Sequence, residues 1–137
     1  MIVVDSSAIN AILFGEEDAH VVLEALGRGA RFLAPGLLVH EVANAIVVGI
    51  RRGRFDSDRR DEAMVQFWRY PWAFETAVGP ALLGEIVALA QSTGLTGYDA
   101  AYLHLAHRHR CPLVTLDRRL AEVARARGVE VWPRPVE

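Results

Sequence analysis

The sequence predicts an α/β fold of three layers, α/β/α, around a parallel sheet of about five short strands. Two observations predict it. Short β-branched runs alternate with longer helical segments along all 137 residues, and that alternation selects a parallel sheet covered on both faces. Apolar residues make up 52% of the chain. That is enough to fill one core in a single domain over residues 1–137, where about two-thirds of the unfolded surface can be buried.

Each element has a local reason. Ile2–Asp5 is a β-branched run ending in an acid and reads as a buried strand. Ser7–Phe14 continues as a helix, and Glu16–Leu26 as another, stopped by Gly27 and Gly29. Arg31–Ala34 is a strand cut by Pro35-Gly36, Leu37–Arg52 a helix ending at Gly53, and Ser57–Trp68 a polar-faced helix closed before Pro71. Phe74–Val78 reads as a strand, Ala81–Thr93 as a helix ending at Gly94, and Tyr98–Arg110 as a further helix. Pro112–Leu116 is a strand, Arg118–Arg127 a helix ending at Gly128, and Val129–Trp132 the last strand.

Composition narrows the function classes. The longest apolar stretches, such as Leu37–Ile50, are broken by His40, Glu41 and Asn44 and fall short of the roughly 18 residues of a membrane span. The opening Met1-Ile2-Val3-Val4-Asp5 has no basic region or long apolar run, so no secretion signal is expected. The single cysteine, Cys111, leaves no internal disulfide and suits a reducing cytoplasm. It reads as a small hydrophobe ahead of a strand. A net charge of −2 gives no basic footprint of the kind non-specific nucleic-acid binders show. All 15 basic residues are arginine, which removes any mechanism that needs a catalytic lysine.

Four acids stand out. In a parallel sheet, ligands sit beyond the carboxyl ends of the strands near the switch point of strand order. Asp5 ends the first strand and Asp117 directly follows Leu116. Either one can equally be an N-cap of the helix that follows it. Asp99 closes Thr96-Gly97-Tyr98-Asp99, a capping-box pattern at the head of a helix. Glu41 is different, because it lies mid-helix among Leu38, Val39, Val42, Ala43 and Ala45, apolar nearly all round. Such a helix is expected to be buried, and a buried glutamate needs a partner or takes up a proton. No arginine stands three or four places away, and Asn44 at i+3 is placed to hydrogen-bond it. A bound cation is the other partner available. Brought together, four carboxylates repel unless a cation neutralises them, and hard oxygen donors suit Mg²⁺ or Mn²⁺. A water retained by the cation is a natural nucleophile for phosphodiester hydrolysis. Ser6 and Thr115 flank the expected pocket, either to fix water or phosphate oxygens or as ordinary strand-end hydroxyls.

At this point the chain resembles the PIN-domain nucleases, and among them the VapC-type toxins of prokaryotic toxin–antitoxin pairs. The resemblance rests on Ile2-Val3-Val4-Asp5-Ser6-Ser7, on Glu41-Val42-Ala43-Asn44, on Gly94-Leu95-Thr96-Gly97-Tyr98-Asp99-Ala100-Ala101-Tyr102, and on Pro112-Leu113-Val114-Thr115-Leu116-Asp117. It implies that Asp5, Asp99 and Asp117 hold the cation, directly or through water. It implies also that Glu41 completes the cluster and orients or deprotonates the attacking water, and that Thr115 supplies a hydroxyl. RNA as substrate, a homodimer and a small antitoxin protein covering the site follow from the resemblance alone.

Other clusters have simpler readings. His104, His107 and His109 are too few for a closed zinc site and read as a solvated helix end. The aromatic stretch Phe67 to Phe74 reads as core, and Arg51, Arg52, Arg54, Arg59 and Arg60 as a solvated basic face available to phosphates. Three alternatives to the toxin reading are set beside it. A phosphoryl-transfer protein of similar topology wants a lysine, which the chain lacks, and its phosphatase form wants an acid where Ser7 stands. A non-enzymatic module would use the acids only as caps. A DNA-directed PIN nuclease shares every residue named here.

Overall fold

A computed structural model describes residues 1–135. Its chain order is β1 (Ile2–Val4), α1 (Ser6–Leu13), α2 (Ala19–Leu26), β2 (Phe32–Pro35), α3 (Leu37–Arg51) and α4 (Ser57–Trp68). There follow β3 (Trp72–Glu75), α5 (Pro80–Thr93), α6 (Gly97–His109), β4 (Leu113–Val114), α7 (Arg118–Ala126) and β5 (Val131–Trp132). All strand pairs are parallel, in the order β3-β2-β1-β4-β5. The chain walks outward from β1 to β3 and then returns to the other side of β1. Right-handed crossovers therefore put α1–α4 on one face and α5–α7 on the other. The three-layer arrangement expected from the sequence is the one observed.

The core is built from the strands and one stripe of each packed helix. Val3, Val4, Leu113 and Val114 are fully buried at the sheet centre, flanked by Ile9 and Leu13 of α1, Leu38 of α3, Leu103 of α6 and Leu120 of α7. Because β1 and β4 are covered on both faces, they read as unbroken apolar runs.

Two expectations need correction. The third strand is Trp72–Glu75, not Phe74–Val78. Its register is set by pairing Phe32 with Trp72 and Pro35 with Glu75. The indole of Trp72 donates to the Phe67 carbonyl (2.7 Å) and stacks on the Phe67 ring (centroids 4.9 Å), so the chain enters the sheet directly after Pro71. Glu75 then accepts the Ala77 N–H (3.0 Å) and turns the chain away. The helix around Glu41 is also not buried all round. Its stripe Leu38, Val42 and Ile46 faces the core, while Val39, His40, Ala43, Asn44 and Val47 are exposed. One i, i+4, i+8 stripe suffices to seat a helix on a sheet, and the remaining apolar residues of α3 lie outside it.

Of the secondary clusters, His104 lies 2.6 Å from Glu85 of the neighbouring α5, and of the three histidines His107 alone is exposed, the other two being half-buried. Phe67 is core, whereas Trp68 is 60% exposed. Arg59 is held by the Leu13 carbonyl (2.6 Å), and Arg51, Arg52 and Arg54 face solvent.

Candidate active site

The return of the chain to β4 beside β1 opens the crevice where the acids meet. Asp5 leaves β1 with extended backbone and becomes the N-cap of α1, its Oδ1 accepting the Ala8 N–H (3.0 Å). Asp117 leaves β4 and caps α7 in the same way, its Oδ1 accepting the Leu120 N–H (2.9 Å). Thr96 caps α6, its hydroxyl accepting the Asp99 N–H (3.1 Å), which fixes Asp99 in the first helical turn. The capping roles read from the sequence are therefore real for Asp5, Asp117 and Thr96, whereas the Asp99 carboxylate makes no return bond to the Thr96 N–H among the described residues, and the three helix heads meet at one crevice. Helix N-termini carry partial positive charge, so acids and anions are favoured there.

Asp5 is the sealed member of the group. It is 3% exposed, as is Thr115. Ser7 Oγ donates to Asp5 Oδ1 (2.7 Å) and Thr115 Oγ1 to Asp5 Oδ2 (2.5 Å). Each hydroxyl has one proton, and both protons point at Asp5. The hydroxyl oxygens remain free to accept backbone N–H groups, Leu116 on Ser7 (2.9 Å) and Asp117 on Thr115 (3.0 Å). Burial pushes the Asp5 carboxyl up from 3.8 to about 6, against the pull of its hydrogen bonds from Thr115, Ser7 and the Ala8 N–H and with a further push from Asp99. The Asp99 carboxyl is also held above its ordinary value, first by burial and then by the charges of Asp117 and Glu41.

Glu41 is half-buried, and its partners are not the one expected. Tyr102 of α6 donates to Oε1 (2.5 Å) and Ser6 to Oε2 (3.3 Å). Asn44 is exposed and makes no hydrogen bond to Glu41 among the described residues. The α6 face brings a phenol within reach before the amide one turn along α3. Burial, followed by the hydrogen bond to Glu41, raises the Tyr102 hydroxyl far above its usual range, so it keeps the proton that it donates to Glu41. The structure thus brings Asp5, Glu41, Asp99, Asp117, Ser6 and Thr115 to one crevice and leaves Asn44 exposed on α3 without a bond to them among the described residues.

The family model described as PIN domain matches residues 2–126. The chain belongs to the PIN-domain family. Ribonuclease VapC3 of Pyrobaculum aerophilum is 35% identical over 121 residues, covering 88% of this chain and 92% of that protein. Ribonuclease VapC9 of Mycobacterium tuberculosis is 31% identical over 135 residues, 98% of this chain and all of that one. Among solved structures, that of PAE2754 from Pyrobaculum aerophilum is similar with a TM-score of 0.68 at 25% identity, covering 95% of this chain and 82% of that chain.

Two residues of this PIN domain that shape the site were not among those expected from the sequence. Ser7 clamps Asp5, and Tyr102 fixes Glu41. Tyr102 carried a signal, since it falls one turn after Asp99 on the same helix; Ser7 carried none beyond following Asp5. Among the described residues, no three His, Cys, Asp or Glu side chains close on one point as a preformed metal cage. The donor set nevertheless fits a hard dication. It is carboxylate throughout, no basic side chain pairs with any of the four acids among the described residues, and Asp117 Oδ2 has no protein donor there. Mg²⁺ in particular is held by one or two carboxylates, with waters and phosphate oxygens completing its shell.

Proposed function

We propose that this chain is a metal-dependent endoribonuclease, the toxin of a toxin–antitoxin pair, hydrolysing RNA phosphodiester bonds with Mg²⁺ or Mn²⁺. The observation that supports it best is the group of mutually repelling carboxylates, two of them held above their ordinary protonation range, at the switch point of the sheet. Relatives called VapC ribonucleases, matched over nearly their whole length, supply the substrate class.

Asp5, Asp99 and Asp117 would hold the cation. When bound, it supplies Lewis-acid stabilisation of phosphoryl charge and makes water a better nucleophile at neutral pH. The protein's own part is positional. Ser7 and Thr115 hold the plane of Asp5, so that carboxylate does not reorient when phosphate arrives. Tyr102 and Ser6 fix Glu41 as the group that orients the attacking water and receives its proton. The heads of α1, α6 and α7 add a field favourable to phosphate. In the cell the chain works in the cytoplasm as a homodimer, held inactive by a small antitoxin protein.

Purified protein incubated with mixed RNA and with DNA of the same sequences, in EDTA, Mg²⁺ or Mn²⁺, tests the reading. Cleavage of RNA only, abolished by EDTA, is expected. Cleavage that persists in excess chelator overturns the metal mechanism, and preference for DNA overturns the substrate. Expression of the chain alone should slow growth, and Asp5→Asn should relieve it. Equal growth of the two strains overturns the toxin assignment.

A further inference from the structure

We propose that the cleft between α1 and the C-terminal half of α3 is a nucleobase subsite, which receives the ribonucleotide beside the cleaved phosphate and prefers a base with an exocyclic amino group over uracil. The proposal rests on the nuclease reading above.

The cleft has a volume of about 440 Å³ and borders the acids through Glu41, which lines it together with Asn44. That size lies within the range of small-ligand sites. Its apolar wall is aromatic: Phe14, at the end of α1, stacks on Phe55, in the turn after α3, with centroids 5.3 Å apart and planes 17° apart. Gly49 makes room for this wall, since a Cβ there would run into the Phe55 ring. Aromatic side chains beside a single-stranded RNA path are stacking platforms for bases.

The polar groups decide which base. Asn10 Oδ1 is buried in this region without a hydrogen-bond partner among the described residues. It is inaccessible as it stands, so a base amino group reaches it only when the Asn10 side chain turns toward the cleft, a movement that the missing partner favours. Glu16 adds a second acceptor on the cleft wall. Amino groups of adenine, cytosine and guanine donate to acceptors of this kind. Uracil presents carbonyl oxygens on both sides of its one ring N–H, so it meets the carboxylate with repulsion. Arg54, exposed on the same wall and in no ion pair among the described residues, suits the flanking phosphate.

The test is an NMR titration of ¹⁵N-labelled protein in EDTA with AMP, CMP, GMP and UMP, paired with cleavage of oligoribonucleotides that differ in one base. Shifts are expected at the side-chain amides of Asn10 and Asn44 and at the Gly49 backbone, with UMP weakest by about threefold or more. Phe55→Leu should weaken all four by about fivefold or more. Glu16→Gln, on an exposed side chain, should remove the preference without unfolding the protein. Shifts that avoid the cleft, or four equal affinities unchanged by Glu16→Gln, overturn the subsite. Cleavage that proceeds indifferent to every flanking base in both proteins also overturns it and leaves the nuclease standing. Binding in the cleft with no RNA cleavage in Mg²⁺ or Mn²⁺ overturns the nuclease and leaves the subsite.

Discussion

Asp5 and Asp117 do the same local job in opposite surroundings. Each follows a central strand, each caps the next helix, and each accepts the N–H three residues on at nearly the same distance, 3.0 and 2.9 Å. Asp5 is sealed and receives two hydroxyl protons as well, whereas Asp117 is half-buried and keeps an oxygen open at the crevice. Capping and chemistry are therefore not alternatives at these positions. The cap fixes where the carboxylate sits. Burial and the hydroxyl clamp set how hard it is to keep charged without a cation.

The largest expected effect separates the two aspartates by activity. Asp5→Asn should lower RNA cleavage by about a thousandfold or more, and Asp117→Asn by more than about tenfold. Steady-state cleavage of one oligoribonucleotide by both variants at saturating Mg²⁺ is the measurement. Equal losses would mean that the sealed and open carboxylates contribute alike, and the comparison would lose its chemical content.

A second effect concerns stability without metal. Asp5 holds its proton up to about pH 6 in the folded protein, against 3.8 for the ordinary group. A raised carboxyl stabilises the fold below the unfolded value and loses that contribution as pH rises through the folded one. Two pH units correspond to about 3 kcal/mol at most. In EDTA the melting temperature should therefore rise as pH falls from 7.5 toward 5. Asp5→Asn should flatten that rise, because the amide is neutral throughout. The network can accommodate the amide: Asn Nδ2 donates to Thr115, whose proton turns to Ser7 Oγ, 3.3 Å away. If Asp5→Asn melts lower than wild type at pH 7.5 in EDTA, the clamp requires a carboxylate and the site is structural.

The clamp itself gives the third effect. Thr115→Val keeps the volume but strips Asp5 Oδ2 of its donor and the Asp117 N–H of its acceptor. Leaving such groups unpaired costs about 1–3 kcal/mol, read as a lower denaturation midpoint in urea at unchanged slope. A loss below a few tenths of a kcal/mol would show that water replaces the hydroxyl, so that Asp5 is less sealed than its burial implies.

Much of this was legible in the sequence, for reasons that differ by residue. Strand-end acids followed by helices announced Asp5 and Asp117, since cap chemistry and sheet topology act within a few residues. Thr96 and Asp99 were legible as a spaced pair. The partners of Glu41 were not, because Tyr102 reaches it across 61 positions of chain, and only the fold, which brings α3 and α6 from opposite faces to the same end of the sheet, creates that contact. The third strand was misplaced for a related reason. Trp72 joins the sheet through pairing with Phe32 and stacking on Phe67, both tertiary contacts that override the local turn signal of Pro71.

The smallest effect tests whether the cap at Asp117 can be separated from its chemistry. Asparagine retains a side-chain oxygen for the Leu120 N–H, and alanine does not. Asp117→Ala should destabilise by about 1 kcal/mol, while Asp117→Asn should change stability by only a few tenths. Both remove the negative charge, so both should lose cleavage to a similar degree if the carboxylate acts on the cation. Thermal melts and cleavage rates on the same two preparations decide it. Should activity follow stability, with the asparagine variant active and the alanine variant not, then Asp117 serves the site only by holding the head of α7. The chemical role would then fall to Asp5, Asp99 and Glu41, and the sealed aspartate would be the only one of the two strand-end acids that works on substrate.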